Sequence, residues 1–266
     1  MPTKIGIIGG SGFYSLVEEA ANESVISEYG DPSDALAMGK MKGKDVVFLP
    51  RHGTMHTIPP HKVPYRANID SMSKLGVERL IATNAVGSLK EEYKPGELVL
   101  FDQFFNATHG RIDTFYDKDV VAHMSPAEPY CPELREIAAK ALDRLGYAYH
   151  KAGTVVVING PRFSTKSESR FFARQGFETI NMTQYPEVAL AREKGICYLG
   201  VGLVTDYDVG LEGTSIKPVT ADQVMKTFAE NVEKAKALVS ELVPMIPEQR
   251  SCGCAKAMDG AVQTRK

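Results

Sequence analysis

Residues 196–208 read ICYLGVGLVTDYD, an apolar run that ends in two aspartates. Such a run predicts a buried β-strand, and Asp206 and Asp208 come where that strand ends. Alternate residues of a strand point to the same side, so both carboxyl groups should lie close together. Proximity and partial burial each raise the pKa of a carboxyl group, which can then hold a proton near neutral pH and donate it to a leaving group. The alternative is an ordinary turn, where aspartate is common.

Strands and helices alternate along the rest of the chain. Short apolar or β-branched runs predict further strands at residues 5–8, 46–49, 80–83, 98–101, 153–158 and 179–181. Helical spacing and favourable first-turn residues predict helices at residues 65–75, 132–145, 168–174, 186–193 and 220–242. The last helix opens with Thr220 and Gln223, which are spaced as a capping box. The alternation predicts an α/β protein, a single domain with a central mixed, mostly parallel sheet flanked by helices.

The composition excludes several classes of protein. The 266-residue chain is 43% hydrophobic and 24% charged, as is usual for a globular protein. Its formal net charge of −2 lacks the basic excess that binds nucleic acid or anionic membranes. No apolar run approaches the roughly 20 residues of a membrane-spanning helix, and Gly6 interrupts the first apolar run too early for a signal peptide. We therefore expect a cytoplasmic enzyme with no nucleic-acid or membrane partner.

The C-terminal segment departs from this pattern. The helical spacing fails from Pro244, so we expect a domain over residues 1–246 and a mobile tail over residues 247–266. The tail contains Cys252-Gly253-Cys254, whereas Cys131 and Cys197 are expected to be small buried groups. Two thiols without a nearby histidine are too few for a zinc site, so no metal is predicted. The pair could instead form a strained disulfide, take part in redox exchange or remain as two exposed thiols.

Polar and small residues follow several of the predicted strands. In open α/β sheets, ligands bind beyond the carboxyl ends of the strands. The groups expected there, in a compact anion-binding cradle, are Ser11 in the glycine-rich loop 9–12, Arg51, His52, the Asn84-Ala85 turn and Thr183. The cradle supplies positive charge and donors without a metal. The glycine-rich loop alone leaves open a dinucleotide site, although it lacks the third glycine of that fingerprint.

Six motifs together resemble a known family. They are IIGGSG (7–12), PRHG (50–53), NAVGSL (84–89), GPRFS (160–164), NMT (181–183) and TDYD (205–208), with Ile7 and Ile8 opening the first. In this order they are similar to the trimeric nucleoside phosphorylases of the purine nucleoside and methylthioadenosine phosphorylase family. The resemblance extends from residue 5 to about residue 240 and implies the fold of that family. It also implies a homotrimer or a dimer of trimers, with inorganic phosphate as co-substrate and no cofactor.

The resemblance implies roles for individual residues. The implied phosphate contacts are Ser11, Arg51, His52, Asn84, Ala85 and Thr183. The implied substrate contacts are Phe163 beside the purine, Met182 under the ribose, the segment Asp206-Tyr207-Asp208 facing the base, and His123, which neighbouring subunits lend to the 5′ side of the sugar. In family members from hot environments, a similar Cys-x-Cys tail is associated with disulfide chemistry.

These residues predict phosphate-dependent cleavage of 5′-methylthioadenosine to adenine and 5-methylthioribose 1-phosphate. Asp206 would protonate the purine N7, and Asp208 would accept a hydrogen bond from the 6-amino group. Ala221 and Val224 would form an apolar lining for the methylthio group. Three alternatives remain: a broader purine nucleoside phosphorylase that accepts adenosine, inosine or guanosine, an NAD-dependent oxidoreductase, and a nucleoside-binding protein without catalysis.

Overall fold

The computed structural model describes residues 4–211, 214, 216 and 221–264, with the backbone alone at residues 11, 14, 221–226 and 228. The strands are β1 (Lys4–Gly9), β2 (Glu18–Glu23), β3 (Leu36–Met41), β4 (Lys44–Pro50), β5 (Val77–Ser88), β6 (Leu98–Leu100), β7 (Gln103–Ala107), β8 (Tyr149–His150), β9 (Thr154–Ile158), β10 (Thr179–Asn181) and β11 (Cys197–Asp206). The helices are α1 (Tyr65–Lys74), α2 (Pro132–Leu145), α3 (Lys166–Arg174), α4 (Gln184–Glu193) and α5 (Ala221–Met245).

In the described part of the chain, all of these strands join one mixed sheet. The order is β2-β3-β4-β1-β5-β10-β9-β7, while β11 pairs with β5 and β6, and β8 pairs with β6. Neighbours are parallel in the centre, where β1 lies between β4 and β5 and β11 runs beside β5. Antiparallel pairs join β2 to β3, β3 to β4, β5 to β10 and β6 to β11. The predicted mixed, mostly parallel sheet of a single domain is confirmed.

Strand β11 lies in the interior because helices or loops cover both of its faces. All ten of its residues are buried. Two glycines make room for aromatic rings, since a Cβ at Gly200 would lie 2.7 Å from the Tyr130 ring and one at Gly202 would lie 2.5 Å from the Phe101 ring. The apolar run therefore marks the centre of the protein, and the strand delivers Asp206 to the edge of the sheet.

Helices cover the sheet on both sides. On one side, Leu134 of α2 and Leu238 of α5 share a buried cluster with Leu199 of β11. On the other side, Ile69 of α1 and Val188 of α4 belong to a second buried cluster. The alternating strands and helices of the sequence thus become a three-layer arrangement, with the strand ends free to carry polar groups.

The structure departs from the sequence-based expectations in three places. Strands β2, β3, β7 and β8 were not predicted, and β5 continues through Asn84 to Ser88 where a turn was expected. The expected capping box of Thr220 and Gln223 lies outside the described residues and side chains. Pro244 lies within α5, which extends beyond the predicted end at residue 242.

The expectation of a mobile tail after Pro247 is wrong. Cys254 and Ala261 of this segment are buried, and Val262 forms a β-bridge with Ala122. The backbone N–H of His123 donates to the carbonyl oxygen of Ala261 at 2.9 Å. The tail packs because Cys254 joins the buried cluster beside α2 and β11, a long-range contact that local helical spacing cannot reveal.

A docked tail predicts a stability cost for a charge at its buried position. Ala261→Asp should lower the free energy of unfolding by roughly 2 kcal/mol, because the new carboxylate must be buried or the segment must detach. The exposed Asp259, changed to alanine, is the control and should leave stability unchanged. Thermal and urea denaturation of both variants measure the effect. Equal stability of Ala261→Asp and the parent would contradict the docking.

Candidate functional site

The two aspartates lie together at the end of β11. Asp206 is the last residue of the strand, and Asp208 follows in a left-handed conformation with φ of 50°. The Asp208 backbone N–H donates to Asp206 Oδ1 at 2.7 Å, and the Thr205 hydroxyl donates to Asp206 Oδ2 at 2.6 Å. The predicted proximity is therefore present, but a tight turn produces it, since the strand ends before Asp208. Left-handed backbone is uncommon for residues other than glycine and is held here by the surrounding contacts.

Burial changes the acidity of both carboxyl groups. Burial raises the pKa of Asp206, against the lowering effect of its two hydrogen bonds from Thr205 and Asp208. For Asp208, burial and the neighbouring Asp206 charge raise the pKa to about 6, although the nearby hydroxyls of Ser169 and Ser164 oppose the rise. The Ser164 hydroxyl lies near the carboxyl group but does not reach it with hydrogen-bond geometry. Asp208 Oδ2 and Ser164 Oγ are buried without a hydrogen-bond partner among the described residues. Unpaired buried polar atoms are costly, so Asp208 Oδ2 and Ser164 Oγ are open to a hydrogen bond from a polar ligand or water.

The predicted anion-binding residues gather beside this pair. Arg51 directly follows β4, and its backbone N–H donates to Gly9 at the end of β1 at 3.0 Å. The Thr183 hydroxyl, just beyond β10, donates to Asn84 Oδ1 on β5 at 2.8 Å. The Arg51 Nη1 donates to the carbonyl oxygen of Thr83 at 2.9 Å, which brings the guanidinium next to Asn84. The structure thus unites Arg51, Asn84 and Thr183.

The glycine-rich loop does not have the form of a dinucleotide site. Ser11 begins a short 3₁₀ helix over Ser11–Leu16, where a dinucleotide fold would start a long α-helix. The Ser11 side chain lies outside the described part of the chain. Ala85 is an exposed residue of β5 next to Asn84.

His52 is held in one orientation. Its Nδ1 lies 2.8 Å from the carbonyl oxygen of Ile58, so Nδ1 carries the proton and donates. Burial and the charge of Arg51 lower the pKa of His52 to about 4. A neutral His52 therefore presents Nε2 as an acceptor, and sequence reasoning had anticipated only a donor.

Glu187 is a site residue that the sequence analysis missed. It lies fully buried in the first turn of α4 and binds Arg51 through both carboxylate oxygens, at 2.7 Å to Nε and 2.8 Å to Nη2. Burial works against the Arg51 charge, but the Glu187 charge and hydrogen bonds outweigh it and raise the pKa of Arg51. The available signal was a glutamate within the otherwise apolar run of α4, where an ionised side chain needs a partner.

The residues expected around the nucleoside occupy three separate loops. Met182 lies beside Gly160, at which a Cβ would come within 2.5 Å of the Met182 sulfur. Phe163 is 58% exposed and precedes Ser164, the neighbour of Asp208. The Tyr207 hydroxyl donates to the carbonyl oxygen of Glu91 at 3.2 Å, which anchors its ring to the segment after β5.

Among the described contacts, none joins three further predicted residues to this group. His123 is exposed and lies in the loop before α2, tied to the tail through its backbone. Ala221 and Val224 open α5, and their side chains lie outside the described part of the chain. Arg111, which was not predicted, donates from Nη2 to the carbonyl oxygens of Met182 and Asn159 at 2.8 and 2.9 Å and so links two of the loops.

Four cysteines form the group among the described residues that could hold a metal. The Sγ atoms of Cys131, Cys197, Cys252 and Cys254 all lie within 4.8 Å of one another, and all four thiols are free. The expectation of no metal assumed only two thiols, and that premise does not hold. Four thiolates suit a tetrahedral zinc ion, and the same proximity suits disulfide pairing after a small movement. The cluster lies where β11 begins, and Asp206 lies where it ends, about 30 Å away.

Buried carboxyl groups and a buried arginine at the strand ends of a mixed sheet are typical of an α/β enzyme. Residues 4–244 match the model of the Phosphorylase superfamily. The chain belongs to this superfamily and is a nucleoside phosphorylase, a pentosyltransferase.

Relatives and solved structures agree with this assignment. The chain is 52% identical over 261 residues to an S-methyl-5′-thioadenosine phosphorylase of Thermofilum pendens, covering 97% of this chain and 98% of the relative. It is 48% identical over 260 residues to one from Nitrosopumilus maritimus, covering 97% of each. The structure of methylthioadenosine phosphorylase from Schistosoma mansoni with adenine superposes with a TM-score of 0.92 at 35% identity, covering 98% of this chain and 99% of that one.

The raised pKa of Asp208 predicts a pH-dependent stability. In the unfolded chain the Asp208 carboxyl has a pKa of about 3.9, so the folded protein binds its proton more tightly. The stability that this proton gives the folded state is lost as the pH rises through about 6. Asp208→Asn should therefore be more stable than the parent at pH 8, by up to about 3 kcal/mol, with the gap closing below about pH 4. Thermal denaturation across this range measures it, with Asp259→Asn as an exposed control. A gap that is independent of pH would contradict the assignment.

Proposed function

We propose that the protein cleaves the N-glycosidic bond of 5′-methylthioadenosine with inorganic phosphate, giving adenine and 5-methylthioribose 1-phosphate. The observation that carries the proposal is the buried acid pair, Asp206 and Asp208, next to the cradle of Arg51, Asn84 and Thr183. The names of the relatives support the same substrate.

The reaction divides between the two halves of the site. A phosphate oxygen attacks the anomeric carbon while the bond from that carbon to the purine nitrogen breaks, through an oxocarbenium-like state. The bonding electrons move onto the purine, and Asp206 donates its proton to N7, so adenine leaves neutral. Arg51, Asn84 and Thr183 hold phosphate in line, and Ser11 and Ala85 complete the cradle. The neutral His52 accepts, at Nε2, a hydrogen bond from the hydroxyl of monohydrogen phosphate. The reaction needs no cofactor.

Asp208 gives the site its preference for adenine. Its unpaired Oδ2 can accept a hydrogen bond from a 6-amino group, whereas a 6-oxo purine would oppose one acceptor with another. Ser164 offers a second unpaired atom at the same place. Phe163 and Met182 would cover the base and the sugar, with Tyr207 fixing the turn between the two aspartates.

A broader purine nucleoside phosphorylase is the second candidate. Below about pH 6, a protonated Asp208 could donate to a 6-oxo group and admit inosine or guanosine. An apolar lining of Ala221 and Val224 would reject a 5′-hydroxyl only weakly, so adenosine could also react.

The protein acts, in this proposal, as a cytoplasmic homotrimer or dimer of trimers. Exposed apolar side chains lie near His123. Val120 and Val121 precede it in the chain, and Val262 of the tail forms a β-bridge with the adjacent Ala122. Covering them with a second subunit would bring His123 to the 5′ side of the neighbour's nucleoside. Among the described helices, none is long and apolar enough to span a bilayer.

Base release should require phosphate and a titratable residue 206. The parent should release adenine from 5′-methylthioadenosine only when phosphate is present. Asp206→Asn should lower kcat by roughly 10²- to 10⁴-fold, the usual contribution of general acid catalysis, with little change in KM. Steady-state assays with phosphate, and with a phosphate-free buffer as control, measure both. Cleavage without phosphate, or full activity of Asp206→Asn, would refute the mechanism.

Specificity at position 6 should follow residue 208. Asparagine can donate a hydrogen bond to a 6-oxo group, so Asp208→Asn should shift the kcat/KM ratio of methylthioinosine to methylthioadenosine upward by about 10-fold or more. Parallel assays of the two nucleosides give the ratio, and Asp206→Asn is the control that lowers both alike. An unchanged ratio in Asp208→Asn would exclude a role in reading the base.

A further inference from the structure

We propose that Glu187 is a positioning residue for phosphate, because it fixes the guanidinium of Arg51 in the orientation that grips the anion. The inference rests on the proposed function, in which Arg51 contacts phosphate. Arginine has five N–H groups, and three of them are engaged: two by Glu187 and one by the carbonyl oxygen of Thr83. One N–H remains on each terminal nitrogen, the pair with which arginine binds two oxygens of a phosphate.

Burial explains why Arg51 needs an anionic partner. Arg51 is 3% exposed and Glu187 is fully buried, so each charge would be costly alone. Together they form a neutral pair. The two remaining N–H groups of Arg51 donate to no acceptor among the described residues. Phosphate then binds to a donor fork that is already oriented, and no side chain has to be ordered during binding.

A second layer fixes Glu187 itself. The hydroxyl of Tyr198, on β11, donates to Glu187 Oε1 at 2.7 Å. One turn before it on α4, Gln184 Oε1 accepts a hydrogen bond from Tyr130 at 2.9 Å. The strand that ends in Asp206 therefore also anchors the carboxylate that orients Arg51, and the acid and the anion cradle share one support.

The inference predicts a selective loss of phosphate affinity. In Glu187→Gln, one neutral oxygen replaces two charged acceptors and an amide N–H faces the guanidinium, so Arg51 should leave its orientation. The KM for phosphate should rise by about 10-fold or more, while the KM for 5′-methylthioadenosine changes by less than about 2-fold. Tyr198→Phe, which keeps the ion pair, should give a smaller rise in the same direction and covers the case in which Glu187→Gln does not fold.

The matched control lies on the same helix. Glu193 is half-buried and accepts from the Thr114 hydroxyl and the Phe115 N–H at 2.7 and 2.8 Å, away from Arg51. Glu193→Gln should leave the ratio of the two KM values unchanged. If Glu187→Gln acted only by destabilising the protein, it would raise both KM values together or lower the melting temperature alone. Either result would contradict the inference.

A double-mutant cycle separates this role from the proposed function. If Glu187 acts through Arg51, then Glu187→Gln should not raise the phosphate KM any further in an Arg51→Met background, where it removes only a buried carboxylate that has lost its partner. A parent enzyme that needs no phosphate would overturn the proposed function, and an unchanged phosphate KM in Arg51→Met would remove Arg51 from the cradle. Two results would overturn this inference alone. One is a large rise of the phosphate KM in Arg51→Met together with an unchanged or lower phosphate KM in Glu187→Gln. The other is a rise in the double variant that equals the sum of the two single effects.

Discussion

The parallel pairing of β5 with β11 is the constraint on which the rest of the site depends. In that pairing Gly87 lies opposite Asp206, three residues along β5 from Asn84. Asp206 and the Asn84 amide, which we propose binds phosphate, are thus separated by roughly 10 Å along the sheet, a distance set by backbone register. A slip of one residue would turn each side chain to the opposite face, so the register that buries β11 also places the chemistry.

Burial supplies most of the chemistry at these strand ends. It raises the pKa of Asp208, lowers that of His52 and makes Arg51 dependent on Glu187. Each group would be more stable in water, and each is held by contacts from elements that are otherwise apolar. Residues such as Gly87, where a Cβ would come 3.1 Å from Asp206 Oδ1, keep the packing tight enough to exclude solvent. The site therefore holds its charged and polar groups at a cost in folding free energy, which the surrounding contacts offset.

Sequence patterns predicted the parts that depend on local physics. Apolar runs located the central strands, and the aspartates at the end of β11 marked the buried carboxyl pair. Strand β2 escaped because it is largely exposed and has no apolar alternation. Glu187 and the docked tail escaped because Arg51, the partner of Glu187, and Cys131, beside which Cys254 packs, are each more than 100 residues away in the chain. Ala221 and Val224 stay predictions, since their side chains lie outside the described residues.

The docked tail has a consequence for how the protein is made. Cys254 shares a buried cluster with residues of α2 and β11, and Ala261 holds the backbone of His123. Residues 252–262 are synthesised after α2 and β11, so that cluster stays uncovered and the His123 loop lacks its support until this segment has left the ribosome. The interior beside α2 and β11 therefore closes only when residues 252–262 arrive.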